Sequence, residues 1–144
     1  MAAPDFLFAV NATFRHLHDT HGKEALVRYW QQLGHEYYRA RWERWRRDGM
    51  EAIAADWRDY FDNEPGADVD VAIVEEAVQL DIRVCPAIKH LREQEREIVP
   101  CFCEHCDPVC GAMTAAAGYG FERTGGMGSC RQRFVTLSVK RETC

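Results

Sequence analysis

Apolar residues recur every three or four positions through the first 64 residues of the chain. This period places them on one face of a helix, so the pattern predicts amphipathic helices. Gly22 and Gly49 interrupt the pattern, and the segment 63–66, Asn-Glu-Pro-Gly, stops it. The first half of the chain is therefore predicted to be helical. Its apolar stripe includes Phe6, Val10, Phe14, Leu17, Leu26, Trp30, Leu33, Tyr37, Trp57 and Phe61.

The period of the apolar residues changes to two after residue 67. Apolar and polar residues alternate over 78–84, which predicts a half-buried strand. The segment 69–73 also alternates, but in the opposite phase, so either a β-bulge or a tight reversal lies near Glu75 and Glu76. Alternation returns over 133–139 and predicts the last strand. We expect the sheet face with Val78, Leu80 and Ile82 to be covered by Trp30, Leu33, Tyr37, Trp57 and Phe61.

Two short helices are predicted between these strands. The first covers residues 87–97 and is rich in charged side chains. The second has Asp107 as its N-cap and a proline at the first helical position, and Gly118 ends it. A strand over 119–123 and a glycine-rich turn over 124–128 follow this helix.

Together these elements predict an α+β fold, in which an N-terminal helical segment is followed by an antiparallel sheet with an inserted cysteine-bearing helix. A chain of 144 residues has the usual length of one domain and can bury a substantial core. We therefore expect a single domain over 1–144, with a helical part over 1–66 and a sheet and cysteine part over 67–144.

The charge and the termini narrow the choice of partners. The formal net charge is -5, which argues against a nucleic-acid partner. The N-terminus lacks the basic and apolar regions of a secretory signal, and no apolar run approaches the length of a transmembrane helix. The expected setting is the cytoplasm, without membrane contact and with a small molecule as partner; a homo-oligomer stays open.

The distribution of cysteines is the feature of the sequence that indicates a functional site. Six of the seven cysteines lie between residues 85 and 130, and four of these fall within the ten residues 101–110. A free thiol can fill a core position as a small apolar group, but its reactivity usually decides where it is retained. In the cytoplasm such clusters favour metal binding or catalytic thiols over structural disulfides. The segment therefore predicts a functional site.

A metal site is the first interpretation of the cluster. Cys103 and Cys106 form a C-x-x-C pair, whose spacing lets two thiolates reach one ion. A second pair is missing, so further ligands would come singly from Cys85 and Cys130, at the two predicted strand ends. His105 is also a suitable zinc ligand. An iron–sulfur cluster is the other possibility, because thiolates are its usual ligands, and the sequence does not decide between the two.

A catalytic thiol is the second interpretation. Cys106 lies at the predicted N-terminus of the cysteine-bearing helix, where the partial positive charge of the helix favours a thiolate. The same argument predicts a lowered thiol pKa for Cys106. Glu104 and His105 are the neighbouring candidates for a general base or a proton shuttle. Cys144 stands apart near the end of the chain and is predicted to play no part.

The segments around these cysteines resemble the L-2-amino-thiazoline-4-carboxylic acid hydrolase family. The resemblance runs from Cys85-Pro86 through Cys103-Glu-His-Cys-Asp107 to Gly128-Ser-Cys-Arg-Gln-Arg-Phe134 and covers roughly residues 70–136. It implies hydrolytic opening of a small sulfur-containing heterocycle, in which water adds at a C=N carbon and a ring bond breaks. The positions that the resemblance carries over are Cys85, Cys106, Asp107 and Cys130, with Asp107 as the acid/base.

The sequence therefore favours a small hydrolase-like enzyme with a cysteine-rich, metal-containing site that opens or desulfurises a sulfur/nitrogen heterocycle. Two alternatives stay open from the residues. One is a non-enzymatic zinc or iron–sulfur binding or redox-sensing module. The other is a small subunit that supplies its cysteines to a larger metalloenzyme.

Overall fold

The computed structural model of the chain describes residues 4–137. Its first half is helical, as predicted, and Gly22 and Gly49 separate successive helices with φ angles of 84° and 81°. The helical elements are α1 (Pro4–His21), α2 (Lys23–Gln32), a π-helical turn (Leu33–Tyr37), α3 (Arg39–Asp48) and α4 (Met50–Asp62). Across the described residues, no helix is both long and apolar enough to cross a membrane.

The second half forms a four-stranded antiparallel sheet with the strand order β1-β2-β4-β3. The strands are β1 (Asp68–Val74), β2 (Ala77–Val84), β3 (Tyr119–Gly126) and β4 (Ser129–Thr136). The opposite phases of the first two strands come from a tight reversal at Glu75 and Glu76, with a φ of 57° at Glu75. The predicted α+β class is confirmed, since the helices precede an antiparallel sheet.

Two helices and a 3₁₀ turn lie between β2 and β3. They are α5 (Pro86–Glu93), the 3₁₀ turn (Phe102–His105) and α6 (Cys106–Ala117). Helix α6 is the predicted cysteine-bearing helix, and Gly118 ends it in the left-handed conformation, with φ 89°. The predicted start of this helix was wrong. The 3₁₀ turn leads directly into α6, so Asp107 lies inside the first helical turn and is not its N-cap.

The last hairpin is longer than the sequence pattern indicated. Strand β3 continues to Gly126 and β4 already begins at Ser129, so that only Met127 and Gly128 form the turn. Both turn residues have positive φ angles, as a tight hairpin turn requires. Glycine and polar residues fill these strand ends, so their alternation is weak. The predicted extension of the last strand to residue 139 lies partly outside the described residues.

The helices cover the inner face of the sheet. Val78, Leu80 and Phe134 are fully buried on this face. The indole rings of Trp45 and Trp57 each lie 5.6 Å from the Phe134 ring, so α3 and α4 close the core over the strands.

Two residues of the predicted core lie elsewhere. Tyr37 is 76% exposed, and Trp30 is buried against Phe14 and His105, on the helix that packs on α1 and α6. The π-helical turn explains the exposure of Tyr37. A π-helical turn changes the phase of the apolar stripe, so residues after Gln32 no longer face the same way as those before it.

Gly34, in the π-helical turn, sets the position of α6. A Cβ atom at this residue would lie only 2.2 Å from the Val109 carbonyl oxygen and 2.9 Å from the Ala112 Cβ. The two backbones therefore approach more closely than any side chain would allow. This contact holds the cysteine-bearing helix against the first half of the chain.

Asn11 fixes the loop that leads into the cysteine run. Its side chain is 4% exposed, and its Oδ1 accepts a hydrogen bond of 2.9 Å from the Val99 amide. Its Nδ2 donates to the Glu97 carbonyl oxygen, also at 2.9 Å. Because both polar atoms are paired with backbone, this buried amide ties α1 to the loop at residues 97–99.

We predict that Gly34→Ala destabilises the protein by about 1–3 kcal/mol or more, because the new methyl group would collide with helix backbone. Gly111→Ala in α6 is the matched control, since a Cβ there would meet nothing within 4 Å. The control should be neutral or stabilising by about 0.5–1 kcal/mol. Urea denaturation measures both values, and an equal stability of the two variants would contradict the close contact.

Candidate functional site

The structure brings four of the predicted cysteines into one region at the end of the sheet. Cys85 directly follows β2, and Cys130 is the second residue of β4. Cys103 lies in the 3₁₀ turn and Cys106 in the first turn of α6, and all four are half-buried. The Cys85 amide donates a 2.8 Å hydrogen bond to the Gly128 carbonyl, which ties the two strand ends together.

Cys106 forms a pair with its neighbour His105. The His105 Nε2 atom lies 3.7 Å from the Cys106 Sγ atom. The other ring nitrogen, Nδ1, donates to the Phe102 carbonyl oxygen within the 3₁₀ turn. This bond assigns the proton to Nδ1, so the lone pair of Nε2 is directed at the thiol. His105 Nε2 can therefore accept the proton of the Cys106 thiol.

Aromatic rings surround the imidazole of His105. The ring centroids of Phe102 and Phe14 lie 5.3 and 5.4 Å from it, and that of Trp30 lies 6.4 Å away. Burial lowers the pKa of His105 below its ordinary value, and the hydrogen bond to Phe102 offsets this only in part. The imidazole is consequently neutral near pH 7 and available as a base.

Two polar side chains, Gln132 and Arg123, lie on the inner face of the sheet near α6. Gln132 is 5% exposed, and its Nε2 lies 3.8 Å from the Cys130 Sγ atom. The same side chain also forms a hydrogen bond that lowers the pKa of Cys106. Arg123 is the direct neighbour of Gln132 on β3. An amide and a guanidinium therefore face the thiols from the sheet.

Asp107 is engaged by Arg123. Arg123 donates from Nε to Oδ1 at 2.9 Å and from Nη2 to Oδ2 at 2.7 Å, which makes a bidentate ion pair. The Arg123 side chain is only 14% exposed, whereas that of Asp107 is 49% exposed. Asp107 was expected to act as acid/base. In the structure both of its carboxylate oxygens accept hydrogen bonds from Arg123, and the acid/base role stays a prediction.

Glu104 lies at the surface of the site. Its carboxylate pairs with Lys23 of α2, and its side chain is 53% exposed. The sequence put Glu104 forward as a base together with His105. In the structure, His105 is the residue that lies close to the Cys106 thiol.

The thiols are protonated near neutral pH, which corrects the sequence argument for Cys106. Burial raises the pKa of Cys106 to about 11 and that of Cys130 to about 11. Burial also raises the pKa of Cys85 and places that of Cys110 well above its ordinary value. The helix N-terminus was expected to lower the pKa of Cys106. Because the 3₁₀ turn precedes α6, the exposed N–H groups begin before Cys106, and desolvation of the thiol prevails.

In the described part of the chain, the predicted metal ligands do not surround one common ion position. Cys85, Cys103, Cys106 and Cys130 offer soft sulfur ligands and His105 offers a nitrogen, so the donor types suit zinc. Within residues 4–137, however, no three His, Cys, Asp or Glu side chains lie close enough together to hold one ion. A metal would require the thiols to move together.

The hairpin turn covers Cys103. The Met127 amide donates to the Cys103 Sγ atom at 3.1 Å, and the Met127 carbonyl accepts a 2.8 Å bond from Arg92. A Cβ at Gly126 would meet Arg123 Nη1 at 3.3 Å and the Cys103 Cβ at 3.7 Å. Because Gly126 has no side chain, the backbone of the hairpin can lie directly over Cys103.

Arg123 and Gln132 were not among the residues predicted for the site. Each carries a signal in the alternation of its strand. Gln132 occupies the phase of the buried Phe134, and Arg123 occupies the phase of Phe121. A polar side chain in an apolar phase is compensated by a partner, which makes it a candidate for the site.

No protein-family model, curated protein or solved structure matches this chain. The resemblance to the thiazoline carboxylic acid hydrolase family therefore stays a prediction that rests on the short motifs.

We predict that iodoacetamide modifies Cys106 and Cys130 slowly at neutral pH. A raised pKa keeps the thiol protonated, and the thiolate is the reactive form. The rate should therefore keep rising with pH until about pH 11. Mass spectrometry of each alkylated peptide measures it, with urea-unfolded protein as the control. A rate that levels off near pH 8.5 in the folded protein would contradict the buried, protonated state.

Proposed function

We propose that the protein is a thiol-dependent hydrolase that opens a small sulfur/nitrogen heterocycle, with Cys106 as nucleophile and His105 as base. The observation that carries this proposal is the 3.7 Å approach of His105 Nε2 to Cys106 Sγ, with Nδ1 bound to the Phe102 carbonyl. A nucleophile beside a base that a third group orients is the usual arrangement for covalent catalysis. The resemblance noted in the sequence supplies the substrate class.

The first step adds the thiol across the C=N bond of the ring. The Cys106 sulfur bonds to the C=N carbon while its proton moves to His105 Nε2. The C=N electron pair moves to the ring nitrogen, which takes the proton from the imidazolium. The thiol is thus added without charge accumulating on the enzyme. A neutral thiol and a neutral imidazole are the reactants, consistent with the raised pKa of Cys106 and the lowered pKa of His105.

The following steps open the ring and release the enzyme. The C=N bond re-forms as the ring C–S bond breaks, and the ring sulfur leaves with the proton from nitrogen as a free thiol. The carbon is then held to Cys106 as a thioimidate. Water adds to this carbon, and the Cys106 thiol departs with a proton through His105. The net change is the addition of one water molecule to the ring.

The proposal predicts how turnover depends on pH. His105 must be neutral to act as a base, and burial lowers its pKa below the ordinary value of 6.5. Activity should therefore persist as the pH falls to 6.5 and decline only below it. A half-maximal rate at or above pH 6.5 for kcat/KM would contradict His105 in this environment.

Substitution of the pair tests the proposal directly. Cys106→Ser should abolish ring opening of a thiazoline, because the alcohol is a much weaker nucleophile here. His105→Gln should reduce kcat by about 10²–10⁴-fold, the usual contribution of a general base. The released thiol can be measured with a chromogenic disulfide after the protein is removed.

Two controls accompany these variants. Cys144→Ser removes a thiol far along the chain from the predicted site, and His16→Gln changes an exposed histidine of α1. Both should retain full turnover. Full turnover in Cys106→Ser, on a substrate that the wild type converts, would reject the proposal.

A second candidate function is a thiol-ligated metal module, which the gathering of Cys85, Cys103, Cys106 and Cys130 favours. Binding would replace the thiol protons, which the raised pKa values make costly near pH 7. Protein purified without oxygen should then carry close to one equivalent of zinc or iron. Cys103→Ser and Cys130→Ser should lose it, and Cys144→Ser should keep it. A content below about a tenth of an equivalent would reject this candidate.

A further inference from the structure

A half-buried arginine of α3, Arg41, lies between two aromatic rings. Its guanidinium carbon is 5.3 Å from the ring centroid of Tyr38 and 5.7 Å from that of Trp57 in α4. These rings hold the guanidinium in place without taking up its five N–H donors. Within residues 4–137, no carboxylate forms an ion pair with Arg41, so its contacts are the two rings.

The other polar groups around Arg41 are also donors. The indole Nε1 of Trp57 is buried and has no hydrogen-bond acceptor in the described part of the chain. Tyr38 lies under Arg41, and the Tyr60 ring lies 5.8 Å from that of Trp57. Burial raises the pKa of both tyrosines, so both hydroxyl groups keep their protons near neutral pH. A cation and a buried N–H group without acceptors indicate that this place takes an acceptor from outside the chain.

The charges near Arg41 suit a ligand with one negative charge. Arg44, about one turn further along α3, is already paired with Asp56. After burial, the negative charge of Glu64 is the next cause of the raised pKa of Tyr60, so a second negative charge on a ligand would meet repulsion. A guanidinium binds a carboxylate through two parallel hydrogen bonds. A carboxylate therefore fits this place in charge and in shape.

Exposed aromatic rings border the same place. Tyr37 is 76% exposed, and its ring centroid lies 4.9 Å from that of Tyr38. Tyr60 is 38% exposed and contacts Phe61, with 4.9 Å between the ring centroids. Tyrosine, tryptophan and arginine side chains that are grouped on a surface are typical of binding sites. An aromatic ring on the ligand would pack against these tyrosines.

We propose that Tyr38, Arg41, Trp57 and Tyr60 form a binding site for a small aromatic carboxylate, with the Arg41 guanidinium as its anchor. The carboxylate accepts hydrogen bonds from Arg41, and the ring of the ligand packs on the tyrosine rings. None of these four residues takes part in the proposed hydrolase reaction. The binding site therefore stands or falls independently of that activity.

Titration of the isotope-labelled full chain with sodium benzoate, followed by NMR, tests the proposal. The indole N–H signal of Trp57, assigned by its loss in Trp57→Phe, should shift and saturate with a Kd below about 10 mM, the range expected for a ligand of this size. Trp42 and Trp45 are internal controls, because their indole N–H groups already donate to the His35 carbonyl and the Asp56 carboxylate. Benzamide has the same shape without the charge and should bind about tenfold more weakly.

Substitution of Arg41 separates an anchor from a general effect of charge. Arg41→Gln should weaken benzoate binding about tenfold or more, because the charge-assisted hydrogen bonds are lost. Arg41→Lys keeps the charge but not the planar fork, so its affinity should lie between the two. Arg46→Gln is the matched control, since Arg46 is exposed on the same helix and its loss changes the net charge equally. This control should stay within about twofold of wild type.

Three results would overturn the proposal. The first is a Trp57 signal that does not shift and saturate, and the second is equal benzoate affinity in wild type and Arg41→Gln. The third is equal binding of benzamide or of acetate, which would show that the carboxylate or the ring contributes nothing. Thermal unfolding of each variant accompanies the titrations. If Arg41→Gln does not fold, Arg41→Lys and the comparison of ligands on the wild-type protein still decide.

Discussion

The backbone of α6 can lie where it does only because residue 34 has no side chain. The Val109 carbonyl occupies the space that a Cβ at Gly34 would need, so the π-helical turn and α6 touch through their main chains. The first turn of α6 carries Cys106 and Asp107 toward the end of the sheet. A shift of this helix by even a methyl radius would move both residues relative to Arg123. The geometry of the candidate site therefore depends on a contact one helical turn away from it.

Burial decides the electrostatic state of the thiols. A helix N-terminus stabilises a nearby negative charge by about 0.3–1 kcal/mol. Burial outweighs this effect for Cys106, since it raises the pKa of that thiol to about 11. The polar groups on the sheet, Gln132 and Arg123, favour the charged sulfur but do not reverse this balance. Cys106 consequently rests as a neutral thiol beside a neutral imidazole. In the function that we propose, such a pair transfers its proton during attack, which avoids the cost of a permanent buried ion pair.

Local patterns predicted most of the architecture. Alternation located β2, and the two isolated glycines separated the helices, because these signals depend only on neighbouring residues. The exposure of Tyr37 could not be predicted, since no local pattern indicates the π-helical turn, whose Gly34 contacts α6. The first residues of β4 were missed for a related reason. Ser129 and Cys130 alternate weakly, and their pairing with β2 and β3 supplies the strand geometry that their sequence does not indicate.

The candidate site shows the same division between local and distant information. The sequence was enough to predict where the site lies. The prediction came from the spacing of Cys103 and Cys106 and from the places of Cys85 and Cys130 at strand ends. The ion pair of Asp107 with Arg123 could not be predicted from local sequence. An aspartate before a proline near a helix start is a local N-cap signal, and this signal favoured the wrong assignment. Its partner, Arg123, lies 16 residues further along on β3, a strand that packs against α6. The Asp107 carboxylate accepts two hydrogen bonds from the Arg123 guanidinium, so both of its oxygens are engaged, whereas the function that we propose needs a group with a free lone pair beside the thiol. In this site that group is His105, whose one nitrogen is bound to backbone while the other faces sulfur.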